Sequence, residues 1–141
     1  MLAKVGQKAP DFTMSTTENI DTLDHIVKLG DYQGKWLVLF FYPLDFTFVC
    51  PTEIRGFNSR IDELNALGAK VLGVSTDSIY SHRAWIKSSK AEGGLGELHY
   101  PLASDITKQV AQSYGVLIEE EGIALRGLFI IDPEGIIRYQ V

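Results

Sequence analysis

Three continuous apolar runs stand out along this chain, separated by polar and amphipathic segments. Residues 36–42 (WLVLFFY) form the longest run, and Pro43 ends it. A run of this kind is typical of a β-strand that is covered on both faces. The shorter runs at 71–74 and 128–131 predict two further buried strands.

The end of the chain has a hairpin pattern. Residues 132–135 (DPEG) are turn formers, and residues 136–141 read as another strand. We therefore expect this last strand to pair with the strand at 128–131. Because the sequence stops at Val141 while still strand-like, we expect a C-terminally shortened version of a longer protein.

Between the strands, apolar residues recur with helical spacing. Ile54, Phe57, Ile61 and Leu64 form one helical stripe, and Gly68 follows as its expected C-cap. Two later helices are also predicted. Ser81 is the expected N-cap of the first, which contains Trp85 and Ile86, and Asp105 is the expected N-cap of the second, which ends at Gly115.

Strands that alternate with helices and close with a hairpin indicate an α/β fold. The order is that of a thioredoxin-like sandwich, with a central mixed β-sheet flanked by helices. No repeat or linker divides the chain, so residues 1–141 are expected to form a single domain. Residues 1–34 are rich in turn formers, and no regular element is predicted there.

Composition excludes several classes of function. The chain has 141 residues and a formal net charge of −5, and its Lys and Arg residues are scattered. A nucleic-acid partner is therefore not expected, because phosphate binding needs clustered cations. The longest apolar run is too short to cross a bilayer, and no apolar signal segment follows Met1. We expect a cytoplasmic protein without a membrane partner.

Cys50 is the single cysteine of the chain. It can form neither an internal disulfide nor a multi-cysteine metal site, and a lone Cys is more often a small buried hydrophobe. Here, however, it lies between a predicted strand and a predicted helix, and Pro51 suits the first helical turn. The N–H groups at a helix start stabilise a thiolate, so we expect a reactive sulfur.

Further candidate residues surround this position in the sequence. The Thr47 hydroxyl can donate to a peroxide or a thiolate, and Pro43 can shield a pocket from water. Arg126, just before a buried strand, is a candidate second cation, and Glu53 can hold it in place. Taken singly, each has a structural explanation: a turn, a strand end, a surface Arg and a first-turn helix acid.

Residues 43–54 (PLDFTFVCPTEI) resemble the active-site segment of the peroxiredoxins, specifically the typical two-cysteine, alkyl hydroperoxide reductase C-like class. Pro43, Thr47 and Cys50 match the P-x-x-x-[TS]-x-x-C pattern, and Arg126 falls on the distal catalytic arginine. The resemblance implies a thiol-dependent peroxidase that reduces hydrogen peroxide and organic hydroperoxides through a sulfenic acid at Cys50. It implies a role in antioxidant defence and redox homeostasis.

The resemblance also implies partners. In this class a second cysteine from a partner subunit resolves the sulfenic acid, and this sequence has none. Either the C-terminal arm that carries it has been removed, which the strand-like ending favours, or an outside thiol resolves the sulfenic acid. For this chain we expect an external thiol reductant, thioredoxin-like or other. A homodimer, and possibly a ring of dimers, is implied. No cofactor and no metal are expected, since His25, His82 and His99 lack metal-ligand spacing.

Two alternatives remain open from the sequence. The chain could be a chaperone-like protein that binds clients through an uncovered apolar surface. It could also be a thioredoxin-like adaptor that uses Cys50 only for mixed disulfides. Both alternatives lack peroxidase turnover, so the rate of Cys50 oxidation by peroxide separates them from the enzyme.

Overall fold

The computed structural model describes residues 3–46, 50–90 and 94–141, and only the backbone of residues 50–52. Within these residues, seven strands form one sheet in the order β2-β1-β5-β4-β3-β8-β9. Two short strands form a separate pair. The strands are β1 (Thr13–Thr16), β2 (His25–Lys28), β3 (Trp36–Phe41), β4 (Ala69–Ser75), β5 (Leu102–Ser104), β6 (Leu117–Ile118), β7 (Ile123–Ala124), β8 (Gly127–Ile131) and β9 (Ile137–Gln140).

The sheet is mixed, as predicted. Strand β4 runs parallel to β3 and β5, whereas β8 is antiparallel to both β3 and β9. The helices are α1 (Cys50–Ser59), α2 (Ile61–Ala66), α3 (Ile79–Lys87) and α4 (Gln109–Ser113), with a 3-10 helix at Leu29–Tyr32. This arrangement confirms the expected thioredoxin-like architecture.

Strand β3 lies in the middle of the sheet and separates two cores. Leu37, Leu39 and Phe41 face one core, which includes residues of α4. Val38 and Phe40 face the other, which includes residues of α1, α2 and α3. Side chains alternate between the faces of a strand, so a continuous apolar run is needed when both faces are covered. The predicted sandwich follows from this requirement.

The single helical stripe predicted after Pro51 is two helices in the structure. Helix α1 ends at Ser59, and Arg60 has a non-helical conformation with φ −112° and ψ 12° before α2 begins. The Arg60 N–H donates to the Phe57 carbonyl at 3.1 Å, a tighter turn than the α-helical pattern. The apolar spacing continues across the break because both helices cover the same core.

The two predicted caps have different outcomes. Ser81 is not the cap of α3: it lies inside the helix, and Ser78 accepts a hydrogen bond from its N–H at 3.1 Å. The prediction was wrong because Ser78, in an extended conformation three residues earlier, supplies the capping oxygen. Asp105 lies before Lys108, the formal N-cap of α4, but its carboxylate accepts from the Val110 and Ala111 N–H groups.

Several elements were not predicted. Strands β1 and β2 and the 3-10 helix lie in the segment rich in turn formers, and β5 has only three residues. These strands have only three or four residues each, and β1 also pairs with the distant β5, so a local pattern carries little signal for them. The predicted hairpin of β8 and β9 is confirmed, with Gly135 at φ 85° in its turn.

Candidate active site

The candidate site lies at one edge of the sheet, where β3 ends and β8 begins. Phe41 in β3 pairs with Gly127 in β8, because these strands run antiparallel. Arg126 therefore precedes β8 beside the end of β3, from which the chain continues into Pro43. This pairing brings two candidate residues to one edge although they are far apart in the sequence.

Helix α1 brings the next two candidates to the same edge. It begins at Cys50, and Glu53 lies at the end of its first turn. The Nε atom of Arg126 lies 3.2 Å from Oε1 of Glu53, with both side chains about half exposed. The guanidinium is thus held at the start of α1 by a charge-assisted contact. The contact between Glu53 and Arg126 is as expected from the sequence, while their roles remain proposals.

The remaining predicted site residues are only partly described. Pro43 is half-buried and follows the buried Tyr42 at the end of β3. Thr47 lies outside the described residues, as does the side chain of Cys50. Their roles as hydrogen-bond donor and nucleophile therefore remain predictions.

A buried polar network underlies the segment before Cys50, and it was not foreseen from the sequence. Asp45 accepts hydrogen bonds from the Tyr42 hydroxyl at 2.6 Å and from the Ser81 hydroxyl at 2.9 Å. Its Oδ2 also lies 2.7 Å from Nδ1 of His82, and both side chains are fully buried. Helix α3 supplies Ser81 and His82, so this network connects α3 to the segment that leads to Cys50.

The protons of this network can be placed from its partners. Nε2 of His82 lies 2.8 Å from the Ala103 carbonyl, which only accepts, so Nε2 carries a hydrogen. Nδ1 of His82 and Oδ2 of Asp45 are joined by a hydrogen bond of 2.7 Å. Burial, with the Asp45 charge acting in the same direction, raises the pKa of Tyr42 well above its usual value, so its hydroxyl stays protonated and donates.

Asp77 forms a second layer of the network. It accepts from the Asp45 N–H at 2.8 Å and from the Ser75 hydroxyl at 2.6 Å. Burial, followed by the charge of Asp45, raises the pKa of Asp77. The two carboxylates and His82 are close enough together to ligate a metal ion. Protein donors, however, already satisfy the oxygens of Asp45, and the arrangement fits a structural hydrogen-bond network.

The sequence offered only weak signals for this network. Asp45 follows a buried strand directly, where a polar side chain must find partners. His82 was expected to be a surface or packing residue, and the structure buries it completely. Its role depends on contacts between positions 37 residues apart, and no local pattern encodes such contacts.

A second contact connects α1 to the loop after α3. The Arg55 guanidinium donates to the Gly94 carbonyl. In the segment after β3, Phe46 has a positive φ of 61°, and the centroid of its ring lies 6.0 Å from that of Trp85 in α3. Helix α1 and the segment before it are therefore both anchored to α3 or to the loop that follows it.

Comparison with known proteins gives a consistent result. The family model described as AhpC/TSA matches residues 5–140. A Clostridium pasteurianum protein, named as a peroxiredoxin of the rubredoxin operon, is 59% identical over 97% of this chain and 77% of its own length. Mouse peroxiredoxin-2 is 55% identical over 96% of this chain and 68% of its own length. The barley chloroplastic 2-Cys peroxiredoxin BAS1 is 54% identical over 98% of this chain and 65% of its own.

Solved structures agree with the sequence matches. The reduced 2-Cys peroxiredoxin of Plasmodium vivax superposes with a TM-score of 0.91 at 39% identity, covering 97% of this chain and 70% of that one. Enterococcus faecalis AhpC gives a TM-score of 0.88 at 36% identity, with 99% and 81% covered. The chain spans 65% to 77% of the length of these three curated relatives. Among its described residues, no helix is long and apolar enough to cross a membrane.

Proposed function

The chain belongs to the AhpC/TSA family, and on this premise we propose that it is a peroxiredoxin, a thiol-dependent peroxidase with Cys50 as its nucleophile. The observation that carries the assignment of the site is the Glu53–Arg126 pair, 3.2 Å apart at the start of α1, the helix that Cys50 begins. The relatives named peroxiredoxin support the activity, and they do not favour a chaperone or an adaptor without turnover.

The proposed reaction has two stages. The Cys50 thiolate attacks the terminal oxygen of a hydroperoxide, an S–O bond forms and the O–O bond breaks. The sulfur is oxidised to sulfenic acid, and the leaving oxygen takes a proton and departs as water or an alcohol. An external thiol then condenses with the sulfenic acid and releases water. A second reducing thiol cleaves the resulting disulfide and restores Cys50.

Each proposed residue has one part in the first stage. Arg126 stabilises the negative charge that develops on the leaving oxygen, and Glu53 orients its guanidinium. Thr47 donates a hydrogen bond to the peroxide, and Pro43 limits the access of water. The chemistry of the four residues supports these roles, as does the contact between Arg126 and Glu53 in the first turn of α1.

The proposal is tested by mixing the reduced chain with one equivalent of hydrogen peroxide under single-turnover conditions. Sulfenic acid at Cys50 is trapped with a 1,3-dione and measured by mass spectrometry over time. We expect a second-order rate constant far above that of a small free thiol, and no adduct in Cys50→Ser. A rate equal to that of the free thiol would contradict the peroxidase proposal and favour a thioredoxin-like adaptor.

We also propose a homodimer in the cytoplasm. Strand β9 is an edge of the seven-stranded sheet, and Arg138, Tyr139 and Gln140 are exposed there. An unpaired edge strand offers N–H and C=O groups to a second copy. A two-fold pairing of β9 would cover this edge, and a ring of such dimers is the larger assembly that we propose. The barley relative is named as chloroplastic, so location is a property to be measured for each protein.

A further inference from the structure

The segment that follows β3 is held at Asp45 through both its side chain and its backbone. The carboxylate accepts hydrogen bonds from the Tyr42 hydroxyl at 2.6 Å and from the Ser81 hydroxyl at 2.9 Å. Its Oδ2 lies 2.7 Å from Nδ1 of His82, and the Asp45 N–H donates to Asp77 at 2.8 Å. Because Asp45 and His82 are buried, water cannot replace these bonds when one partner is removed.

The next residue, Phe46, has a backbone conformation that needs such support. Its φ of 61° lies in the left-handed region, which residues with a Cβ disfavour. A conformation of this kind persists only where the surrounding structure fixes it. The centroid of the Phe46 ring lies 6.0 Å from that of Trp85 in α3. Two adjacent residues are therefore held by α3, and the residue after them is Thr47, the proposed donor to the peroxide.

Helix α1, which Cys50 begins, is held by other contacts. Ile54 is fully buried, and its carbonyl accepts a hydrogen bond from the Tyr100 hydroxyl at 2.7 Å. Glu53 contacts Arg126 at 3.2 Å. These four residues do not belong to the network around Asp45. Loss of that network should thus displace the segment before Cys50 relative to a helix that stays in place.

We propose that Asp45 and His82 are positioning residues for the reaction of Cys50 with peroxide, because they fix the segment that leads from Pro43 to Thr47. The inference rests on the proposed function and gives a part in it to a buried network that touches neither the sulfur nor the substrate. Its effect is geometric, and a misplacement of about 1 Å can slow a reaction roughly 10²-fold.

The geometric effect can be separated from an effect on the thiolate. The groups that stabilise a sulfur anion at position 50 are the N–H groups at the start of α1 and the Arg126 guanidinium. Neither depends on Asp45. Loosening the network should therefore slow the reaction with peroxide and leave the ionisation of Cys50 unchanged.

Two buried tyrosines provide a matched pair of variants. Tyr42 and Tyr114 are each 1% exposed, and the Tyr114 hydroxyl donates to the Pro10 carbonyl at 2.7 Å, away from the network. Phenylalanine removes one buried hydroxyl in either case, but only Tyr42→Phe loosens Asp45. We expect Tyr42→Phe to lower the second-order rate constant for oxidation of Cys50 by hydrogen peroxide about tenfold. Tyr114→Phe should keep the wild-type constant, and urea denaturation shows that both variants are folded in the assay.

His82 provides a second pair, in which one variant keeps the contact that matters. Nδ1 of His82 faces Asp45, and Nε2 donates to the Ala103 carbonyl at 2.8 Å. The amide of an asparagine lies as far from the backbone as Nδ1, and that of a glutamine lies as far as Nε2. His82→Asn should therefore keep a donor to Asp45 and react faster with peroxide than His82→Gln. A role in stability alone would not favour His82→Asn, and a rate in His82→Gln equal to or above that in His82→Asn overturns the proposal.

The pH profile of Cys50 alkylation by iodoacetamide gives the independent readout. Cys50 is the only cysteine of the chain, so the midpoint of the profile reports the ionisation of this thiol alone. We expect the same midpoint in the wild type, Tyr42→Phe and both His82 variants. A midpoint that rises as the peroxide rate falls would mean that the network acts on the thiolate, which overturns the positioning role.

The same measurements distinguish this inference from the proposed function. A wild type far faster than a free thiol, with Tyr42→Phe equally fast, would keep the peroxidase and overturn the positioning role. A wild type no faster than a free thiol would contradict the peroxidase, and the positioning role would be lost with it.

Discussion

At the scale of single residues, the site depends on charges that are held in place by side chains from distant segments. Arg126 is fixed by Glu53 on α1, and Asp45 is fixed by Tyr42, Ser81 and His82. The first pair is half exposed and contributes little to stability. The second group is buried, and its bonds are correspondingly important for the fold.

Arg126→Ala is expected to slow the oxidation of Cys50 by hydrogen peroxide about 10²–10³-fold, because a donor to the developing negative charge is lost. Arg126→Lys should give an intermediate rate, since it keeps the charge without the planar fork. Stopped-flow mixing measures both. Arg138→Ala serves as the control, because Arg138 contacts Asp132 in the β8–β9 turn. Equal rates in Arg126→Ala and wild type would contradict the assigned role.

Asp45→Ala is expected to lower the free energy of unfolding by about 3–5 kcal/mol, because it leaves a buried histidine and two hydroxyls without their acceptor. Asp45→Asn should cost less, since its amide oxygen can still accept from the Tyr42 hydroxyl. Urea denaturation measures both changes. A loss below about 0.5 kcal/mol in Asp45→Ala would mean that the network does not stabilise this segment.

At the scale of elements, close backbone approaches and turns fix the loops that support the site. Gly94 lies in the loop after α3, and its carbonyl accepts a hydrogen bond from the Arg55 guanidinium on α1. A Cβ at Gly94 would collide with the Ser88 carbonyl oxygen, which is backbone and cannot move aside. A glycine is required there by space, and not by a positive φ.

Gly94→Ala should therefore destabilise the chain by about 1–3 kcal/mol, as overpacking does. The matched variant is Gly56→Ala, at a helical position with open space around the added Cβ. It should stabilise the chain by up to about 1 kcal/mol, because alanine favours a helix over glycine. Thermal unfolding should show a lower melting temperature for Gly94→Ala and a higher one for Gly56→Ala. Changes of the same sign in both variants would contradict the prediction.

The β8–β9 turn predicts a pH dependence. The carboxylate of Asp132 accepts from the Ile136 and Glu134 N–H groups and from Arg138, and these bonds, with Ile136 first, lower its pKa. The unfolded chain then takes up the proton at a higher pH than the folded chain does. Asp132 thus contributes stability above its ordinary pKa of 3.8, and this is lost as the pH falls through the lowered value.

The melting temperature of Asp132→Asn should consequently vary less with pH than that of the wild type, over the range from about pH 5 to about pH 2. Asp62→Asn, at an exposed position in α2, is the control for removal of one acidic group. Thermal melts monitored by circular dichroism give the comparison. Parallel curves for Asp132→Asn and wild type would contradict the stabilising role of the turn.

At the scale of the whole molecule, the sheet edge at β9 is the feature with the largest consequence for assembly. Leu128 and Val141 exchange both backbone hydrogen bonds at 3.0 Å. Inward and outward N–H groups alternate along an antiparallel strand, so the Gln140 N–H points away from β8. Proline at this position removes a donor from the outer edge and leaves the pairing with β8 intact.

The wild type should sediment as a dimer at micromolar concentration, and Gln140→Pro should sediment as a monomer with the same circular dichroism spectrum. Gln140→Ala is the control, because it keeps the N–H and should remain dimeric. A monomeric wild type would refute the proposed dimer. A dimeric Gln140→Pro would show that the dimer interface does not depend on this edge.

The sequence by itself determined the buried strands, the hairpin and the candidate residues around Cys50. The run at 36–42 is apolar at every position, as a strand covered on both faces requires, and the active-site segment is contiguous. These signals are local and need no knowledge of the rest of the fold.

Only the tertiary structure decided which distant residues meet. The pairing of Phe41 with Gly127 places Arg126 beside Glu53, and α3 brings His82 to Asp45. Strand β1 likewise pairs with β5, which lies far along the chain. Contacts between residues far apart in sequence are selected by the packing of the whole sheet, so no local pattern specifies them.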